Sequence, residues 1–299
     1  MIEIGVDFGG TKIEVAALNP DGSFLSRVRA PNPGNYSAAI ETVRALVADV
    51  ETKTGERCSV GVGTPGSISP RTGVIRNANT VWLNGKAFHT DLSAALGRDI
   101  RMANDANCLA LSEAVDGAGS GSRVVFAAIL GTGCGGGWAF NGQLIEGANG
   151  LGGEWGHVPL PWATADDLPT PSCWCGLQGC LETWISGSGL QRDHQNTWRE
   201  TAAAEQIIAA ARTGDPHARL TWERYVGRLG RALALVCNII DPDVIVVGGG
   251  LSNVSELYSA LPDAIRPYTF SREWDAPILA ARWGDSSGVR GAARLWRQP

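Results

Sequence analysis

No run of lysines and arginines occurs in this chain, and no apolar stretch approaches the length a bilayer requires. The first absence removes the electrostatic footprint of a nucleic-acid binder, and 25 basic residues against 30 acidic ones leave a net charge of −5. A spanning helix needs about 20 apolar residues, and the longest apolar runs, such as Val124–Leu130, are far shorter. A basic leader followed by an apolar segment is also missing: Met1-Ile2-Glu3-Ile4-Gly5-Val6 reads directly as a strand. A cytoplasmic protein without membrane or nucleic-acid partners is expected. Cysteine is sparse and odd in number, seven in all, with Cys173, Cys175 and Cys180 inside eight residues. That bunching suggests metal rather than a disulfide framework. Glycine is the excess. It makes up 39 of 299 residues, about twice the globular average, yet without collagen's period and below the glycine-plus-proline level of disordered chains. With 44% hydrophobic residues the chain packs a core, and its length makes two domains the default.

Both halves open in the same way. Ile2–Phe8 alternates as a strand, Gly9-Gly10 turns the chain, and Lys12–Leu18 returns; later Val124–Leu130, a glycine turn and Gly137–Asn141 repeat the pattern. A third strand covers Phe24–Arg29, others Ser59–Gly63, Ile100–Ala103 and Val244–Val247. Apolar spacing predicts helices over 37–54, 108–115, 203–212 and 216–239, from about Val254, and from Gly288 to Trp296. Gly142–Pro171 reads as irregular, and the small, polar segment Asp116–Ser122 is the candidate linker. A weak duplication of two α/β domains follows.

Several motifs carry chemistry. Asp7-Phe8-Gly9-Gly10-Thr11-Lys12 joins amides able to close on an anion with a hydroxyl and a cation. The Walker spacing is absent and a strand follows, so a P-loop is excluded. Asp7 could hold Mg²⁺ through water, although an ordinary glycine hairpin with a solvated lysine would look the same. Gly131-Thr132-Gly133-Cys134-Gly135-Gly136-Gly137 sits between two strands. Its backbone entropy cost suits close approach to a polyphosphate, a flexible surface loop being the alternative. Gly248-Gly249-Gly250 departs from the dinucleotide fingerprint and suits a ribose or base only weakly. Asp105 is either the N-cap of the helix that follows it or a carboxylate at a strand end that takes a proton from a substrate hydroxyl. His157, followed after 15 residues by Cys173, Cys175 and Cys180, makes a closed Cys₃His set suited to structural Zn²⁺. Reduced cysteines beside a core histidine are the alternative. Glu154 and Glu182 flank that set and suit sugar hydroxyls. His89, His194 and His217 need no role beyond packing or solvation.

Taken together, Asp7-x-Gly9-Gly10-Thr11-Lys12, Asn104-Asp105-Ala106-Asn107, Gly131-Thr132-Gly133, Glu154-x-Gly156-His157 and Cys173-x-Cys175-Gly176-x-x-Gly179-Cys180-x-Glu182 resemble the ROK sugar-kinase family over essentially the whole chain. Asn77-Ala78-Asn79-Thr80-Val81-Trp82-Leu83-Asn84-Gly85 looks most like the fructokinase branch of that family. The resemblance implies an α/β fold of the actin-like ATPase type, two ribonuclease-H-like domains flanking a cleft. These would be residues 1–116 with 285–299, and residues 117–284 with the zinc-binding loop. It implies phosphorylation of a free hexose at O6 by ATP, D-fructose favoured, with N-acetylglucosamine, glucose or mannose, or a non-catalytic sensor, as alternatives. By the same analogy Asp105 is the base, and Gly66, Asn79, Asn104, Asp105, Glu154, His157 and Glu182 meet the sugar. Asp7, Gly9, Gly10, Thr11, Lys12, Gly131, Thr132, Gly133, Gly135, Gly249 and Gly250 would hold ATP with Mg²⁺; His157, Cys173, Cys175 and Cys180 would hold Zn²⁺. A homodimer is the family expectation. Because the sequence opens on the first strand, the helix-turn-helix repressors of the family are not expected to be its kin.

Overall fold

In the computed structural model, residues 2–298 are described, and the chain divides into two compact units. The first comprises Met1–Gly121, Gly137–Gly153 and Arg282–Pro299; the second comprises Ser122–Gly136 and Glu154–Ala281. The boundary expected at residues 116 and 117 thus lies five residues later. The segment 137–153 belongs with the first unit, and the return begins at Arg282. Asp116–Ser122 is not a loose tether, because the Glu113 carboxylate accepts the Ala118 N–H at 2.8 Å.

The first unit is built on a sheet of β1 (Glu3–Phe8), β2 (Lys12–Leu18), β3 (Phe24–Pro31), β4 (Ser59–Thr64) and β7 (Arg101–Asn104), with a small ribbon of β5 (Ser67–Ile68) and β6 (Ile75–Arg76) beside it. The sheet order is β3-β2-β1-β4-β7: β2 pairs antiparallel with β1 and β3, while β1, β4 and β7 are parallel. Alternation puts Ile4, Val6 and Phe8 on one face, where they pack in a core with Val43, Val47 and Val50 of α1 (Tyr36–Thr54). That helix starts where Asn35 accepts the Ala38 N–H at 3.0 Å and stops at left-handed Gly55. Phe88 and Leu92 of α2 (Phe88–Leu96), a helix the periodicity did not reveal, complete the cluster.

The other face meets α9 (Ser287–Arg294), and glycine makes this possible. A Cβ on Gly5 would lie 1.9 Å from the Val289 carbonyl oxygen, and one on Gly61 1.9 Å from that of Ala292. The helix backbone rests directly on the strands. Its charges are paired: Arg290 and Arg294 donate to Asp116 at 2.7 and 2.6 Å, and Ser287 Oγ to Glu113 at 2.9 Å. Below it runs α3 (Asp105–Val115).

The second unit holds β8 (Val124–Leu130), the start of β9 (Cys134–Phe140), β11 (Val244–Gly248) and β12 (Ile278–Ala280). Strands β8, β11 and β12 are parallel, and β9 carries the chain on to β10 (Gln143–Leu144). This sheet runs β10-β9-β8-β11-β12. Counted within its own set of five, each sheet is ordered third, second, first, fourth, fifth, which makes the duplication structural. Helices α4 (Glu182–Ile185), α5 (Gly187–Trp198), α6 (Ala204–Arg212), α7 (Pro216–Ile240) and α8 (Glu256–Ile265) belong here. Within the stretch read as irregular, 3₁₀ turns form at Trp155–His157 and Ala165–Asp167. Asp167 is buried and paired with Arg228 and Arg231 at 2.8 and 2.9 Å.

Candidate active site

In the first unit, the residues gather at the C-terminal ends of β1, β4 and β7. Asp7 stands near the end of β1. The turn after it is closed by Gly9 N–H donating to the Lys12 carbonyl at 3.0 Å and is braced by Asn32, whose amide donates to the Gly9 carbonyl at 2.8 Å. Gly10 and Thr11 are left exposed at its tip. The Asp7 carboxyl is pushed up to about 7, first by burial and then by the charges of Asp105 and Glu14, with Lys12 and Arg29 opposing. Two neighbouring carboxylates, Asp7 raised first by burial and then by the charge of Asp105, make a place where a divalent cation would be favoured. The oxygen donors there fit Mg²⁺.

Asn104 and Asp105 resolve one alternative. The N-cap of α3 is Asn104, whose Oδ1 accepts the Ala106 N–H at 2.8 Å, and Asp105 is the first helical residue. Asp105 Oδ1 takes the same N–H at 2.8 Å, but the cap does not depend on it. Asn104 also donates from Nδ2 to the Gly66 carbonyl at 3.1 Å. A Cβ on Gly66 would lie 2.8 Å from Ala78 N, so Gly66 abuts the segment that presents exposed Asn79. That segment is folded on Asn84, which accepts from Ala78 N–H and donates to the Ala78 carbonyl, both at 2.9 Å. Gly66, Asn79, Asn104 and Asp105 are therefore brought together.

In the second unit, the ligand atoms of His157, Cys173, Cys175 and Cys180 all lie within 4.8 Å of one another. Cys173 Sγ is 3.6 Å from His157 Nδ1, and Cys175 Sγ is 3.6 Å from Cys180 Sγ. Backbone bonds from Leu181 N to Val158 O (2.8 Å) and Leu160 N to Gly179 O (3.0 Å) hold the two arms of the loop together. Burial, and after it the neighbouring thiols of Cys175 and Cys173, push Cys180 up to about 12. One imidazole and three sulfurs are a donor set that fits Zn²⁺ and leaves no open position.

The glycine loop at 131–136 lies against this centre. Glu182 Oε2 accepts the Cys134 N–H at 3.0 Å, and Trp155 Nε1 donates to the Gly135 carbonyl at 2.7 Å. A Cβ on Gly133 would sit 2.7 Å from Glu182 Oε2, so a side chain there would displace the carboxylate from its present place. Gly131 has open space where a side chain would be, and its carbonyl accepts the Gly187 N–H at 2.7 Å. Thr132 is exposed. Gly249 packs on the Leu130 carbonyl, a Cβ there falling 2.5 Å from it, and Gly250 is open. Gly131, Thr132, Gly133, Gly135, Glu154, His157, Glu182, Gly249 and Gly250 thus share one region of this unit. Sequence reasoning missed Trp174, whose indole meets Glu182; its place inside the cysteine motif was the available signal.

The model of the ROK family matches residues 3–299. The chain belongs to the ROK family. Among relatives of this ROK protein, the N-acetylgalactosamine kinase AgaK of Shewanella sp. (strain ANA-3) is 40% identical over 294 residues, 97% of this chain and 95% of that one. An N-acetyl-D-glucosamine kinase of Shigella boydii serotype 4 (strain Sb227) is 40% identical over 296 residues, 97% and 98% of the two chains. The crystal structure of a ROK family glucokinase from Streptomyces griseus in complex with glucose and AMPPNP superimposes with a TM-score of 0.81 at 30% identity, covering both chains fully (100% of each). The fold is the actin-like ATPase fold that the ROK resemblance implied. Among the described residues, no helix of this ROK protein is long and apolar enough to cross a membrane.

Proposed function

We propose that this ROK sugar kinase transfers the γ-phosphoryl group of ATP to the 6-hydroxyl of an N-acetylhexosamine. One observation carries the choice of sugar: relatives matching 97% of the chain at 40% identity are N-acetylgalactosamine and N-acetylglucosamine kinases. The D-fructose expectation rested on the short segment Asn77–Gly85, and these relatives do not support it. They favour the N-acetylglucosamine alternative instead.

In this reading Asp105 accepts the proton of the 6-hydroxyl as that oxygen attacks the γ-phosphorus and the bond to the departing ADP breaks. Base assistance of this kind is worth about 10²–10⁴-fold. Lys12, Thr11 and the amides of Gly10, Thr132, Gly133 and Gly135 take up phosphate charge in turns that the N–H groups of Gly9 and Gly131 close by donating to the Lys12 and Gly133 carbonyls, both at 3.0 Å, while Gly249 and Gly250 face the nucleoside. Asp7 would hold Mg²⁺, which would supply charge neutralisation on the phosphates. Gly66, Asn79, Asn104, Glu154, His157 and Glu182 bind the sugar; His157 turns Nδ1 toward the thiols, so Nε2 is the nitrogen for a hydroxyl. His157, Cys173, Cys175 and Cys180 would hold Zn²⁺, which would supply rigidity to the loop.

The deciding experiment is ADP release over a panel of N-acetylglucosamine, N-acetylgalactosamine, N-acetylmannosamine, glucose, mannose and fructose, with wild type and Asp105→Asn. The expected result is kcat/KM at least about tenfold higher for an N-acetylhexosamine, with turnover in Asp105→Asn lower by about 10²–10⁴-fold and sugar affinity kept. Preference for fructose would reverse the substrate assignment, and near-normal turnover in the variant would remove Asp105 as base.

A further inference from the structure

Glu182 is gripped from two sides. Its Oε1 accepts the indole Nε1–H of Trp174 at 2.6 Å, and its Oε2 accepts the Cys134 backbone N–H at 3.0 Å. One donor on each oxygen fixes the plane of the carboxylate as well as its place. Trp174 lies between Cys173 and Cys175, and the His157 and Trp174 rings meet edge to face, centroids 5.1 Å apart and planes at 87°. The side chain that aims Glu182 is thus anchored by the thiol cluster on both sides and by the imidazole across from it. Burial does not explain a tryptophan here, because Trp174 is 59% exposed. What an indole supplies at this point, and another apolar residue would not, is an N–H donor directed at a carboxylate.

We propose that Trp174 is a positioning residue for sugar binding, its indole N–H orienting Glu182 so that the remaining lone pairs of the carboxylate accept hydroxyls of the hexose. The proposal rests on the kinase reading above and names a residue that reading does not use. A carboxylate offers about four acceptor positions, of which the protein occupies two, leaving about two for the ligand. An unrestrained Glu182 would have to be ordered by each arriving sugar, and pre-ordering by Trp174 removes that cost from binding. The effect therefore falls on hexose affinity, with the nucleotide unaffected. A hydrogen bond to a charged group of this sort corresponds to about a tenfold change in affinity.

The test compares Trp174→Phe, Glu182→Gln and the double variant in the zinc-loaded, full-length protein. Phenylalanine keeps an aromatic edge against His157 and removes the donor. For Trp174→Phe, the expected result is a hexose KM raised about tenfold, with most of the loss in KM rather than kcat, and an unchanged KM for ATP and zinc content. In the Glu182→Gln background, Trp174→Phe adds nothing further. In ¹H–¹⁵N spectra one indole resonance disappears in Trp174→Phe, and that resonance moves in Glu182→Gln and again when hexose is added. Loss of zinc, parallel losses toward both substrates, or additive effects in the double variant would make Trp174 a loop-packing residue and overturn the proposal. An indole resonance indifferent to Glu182→Gln in an active kinase sinks this proposal alone. A wild type that turns over no hexose, with an indole resonance unmoved by any sugar, sinks the kinase reading and this role with it.

Discussion

At the scale of single residues, Asp7 shows how a site is assembled against stability. Its carboxyl is raised to about 7 by burial, then by Asp105 and Glu14, so without a cation the folded protein binds a proton that the unfolded chain releases near 4. Between about pH 4 and 7 stability therefore falls as pH rises, and above about 7 the full penalty remains. Removing the charge should reverse this. Asp7→Asn, measured free of metal and nucleotide, should melt about 3–6 °C above wild type at pH 8, with the difference vanishing near pH 4. A melting difference independent of pH would show that Asp7 carries no such penalty. Asn104 and Asp105 illustrate the limit of reading residues singly. Either could cap α3 by residue type, and it is the φ/ψ of the chain at that point that makes Asn104 the cap and puts Asp105 inside the helix.

At the scale of elements, what was legible followed periodicity. Helices α1 and α7 repeat buried residues every three or four positions, as in Val43, Val47 and Val50 or Leu229, Leu233 and Val236, and both were expected nearly to the residue. Helix α5 opens Gly187-Ser188-Gly189 and is mostly polar, and α2 is short, so neither announced itself. The cysteine loop was legible as a motif but not as a structure, because its order comes from bonds between distant strands of the loop and from the cluster itself. Structural zinc in small peptides contributes about 10–16 kcal/mol of apparent binding free energy, far more than these few backbone bonds. Chelating the metal should open residues 154–182 to proteolysis and abolish hexose-dependent ADP release, and added Zn²⁺ should restore both. Purified protein with about one zinc per chain is required by this account; a metal-free protein equally resistant and active would contradict it.

At the scale of the whole molecule, the two halves use one strand order, and the sequence revealed only its first step, strand, glycine turn, strand. Pairing of β4 with β7 and of β11 with β12 depends on crossovers whose length and helix content vary, so the repeat lies in topology rather than residues. The return of the last helix to the first unit was expected from the ROK resemblance, but its mechanism lies in Gly5 and Gly61, glycines that motif reading had no cause to single out. Each is a strand residue with no turn to make and no positive φ; each is needed because α9 lies where its side chain would be. Gly61→Ala should accordingly drive the Ala292 carbonyl away and strip α9 from the sheet, at a cost of about 2–3 kcal/mol, or about 5–10 °C in the transition that reports the first unit. Gly227→Ala is the control, since it lies within α7 with nothing within 4 Å of the added carbon. That substitution should be neutral or stabilising by about 0.5–1 kcal/mol. Calorimetry of both variants decides the matter: equal and small shifts would mean that α9 yields easily, and that close backbone contact is not what holds the end of the chain on the first sheet.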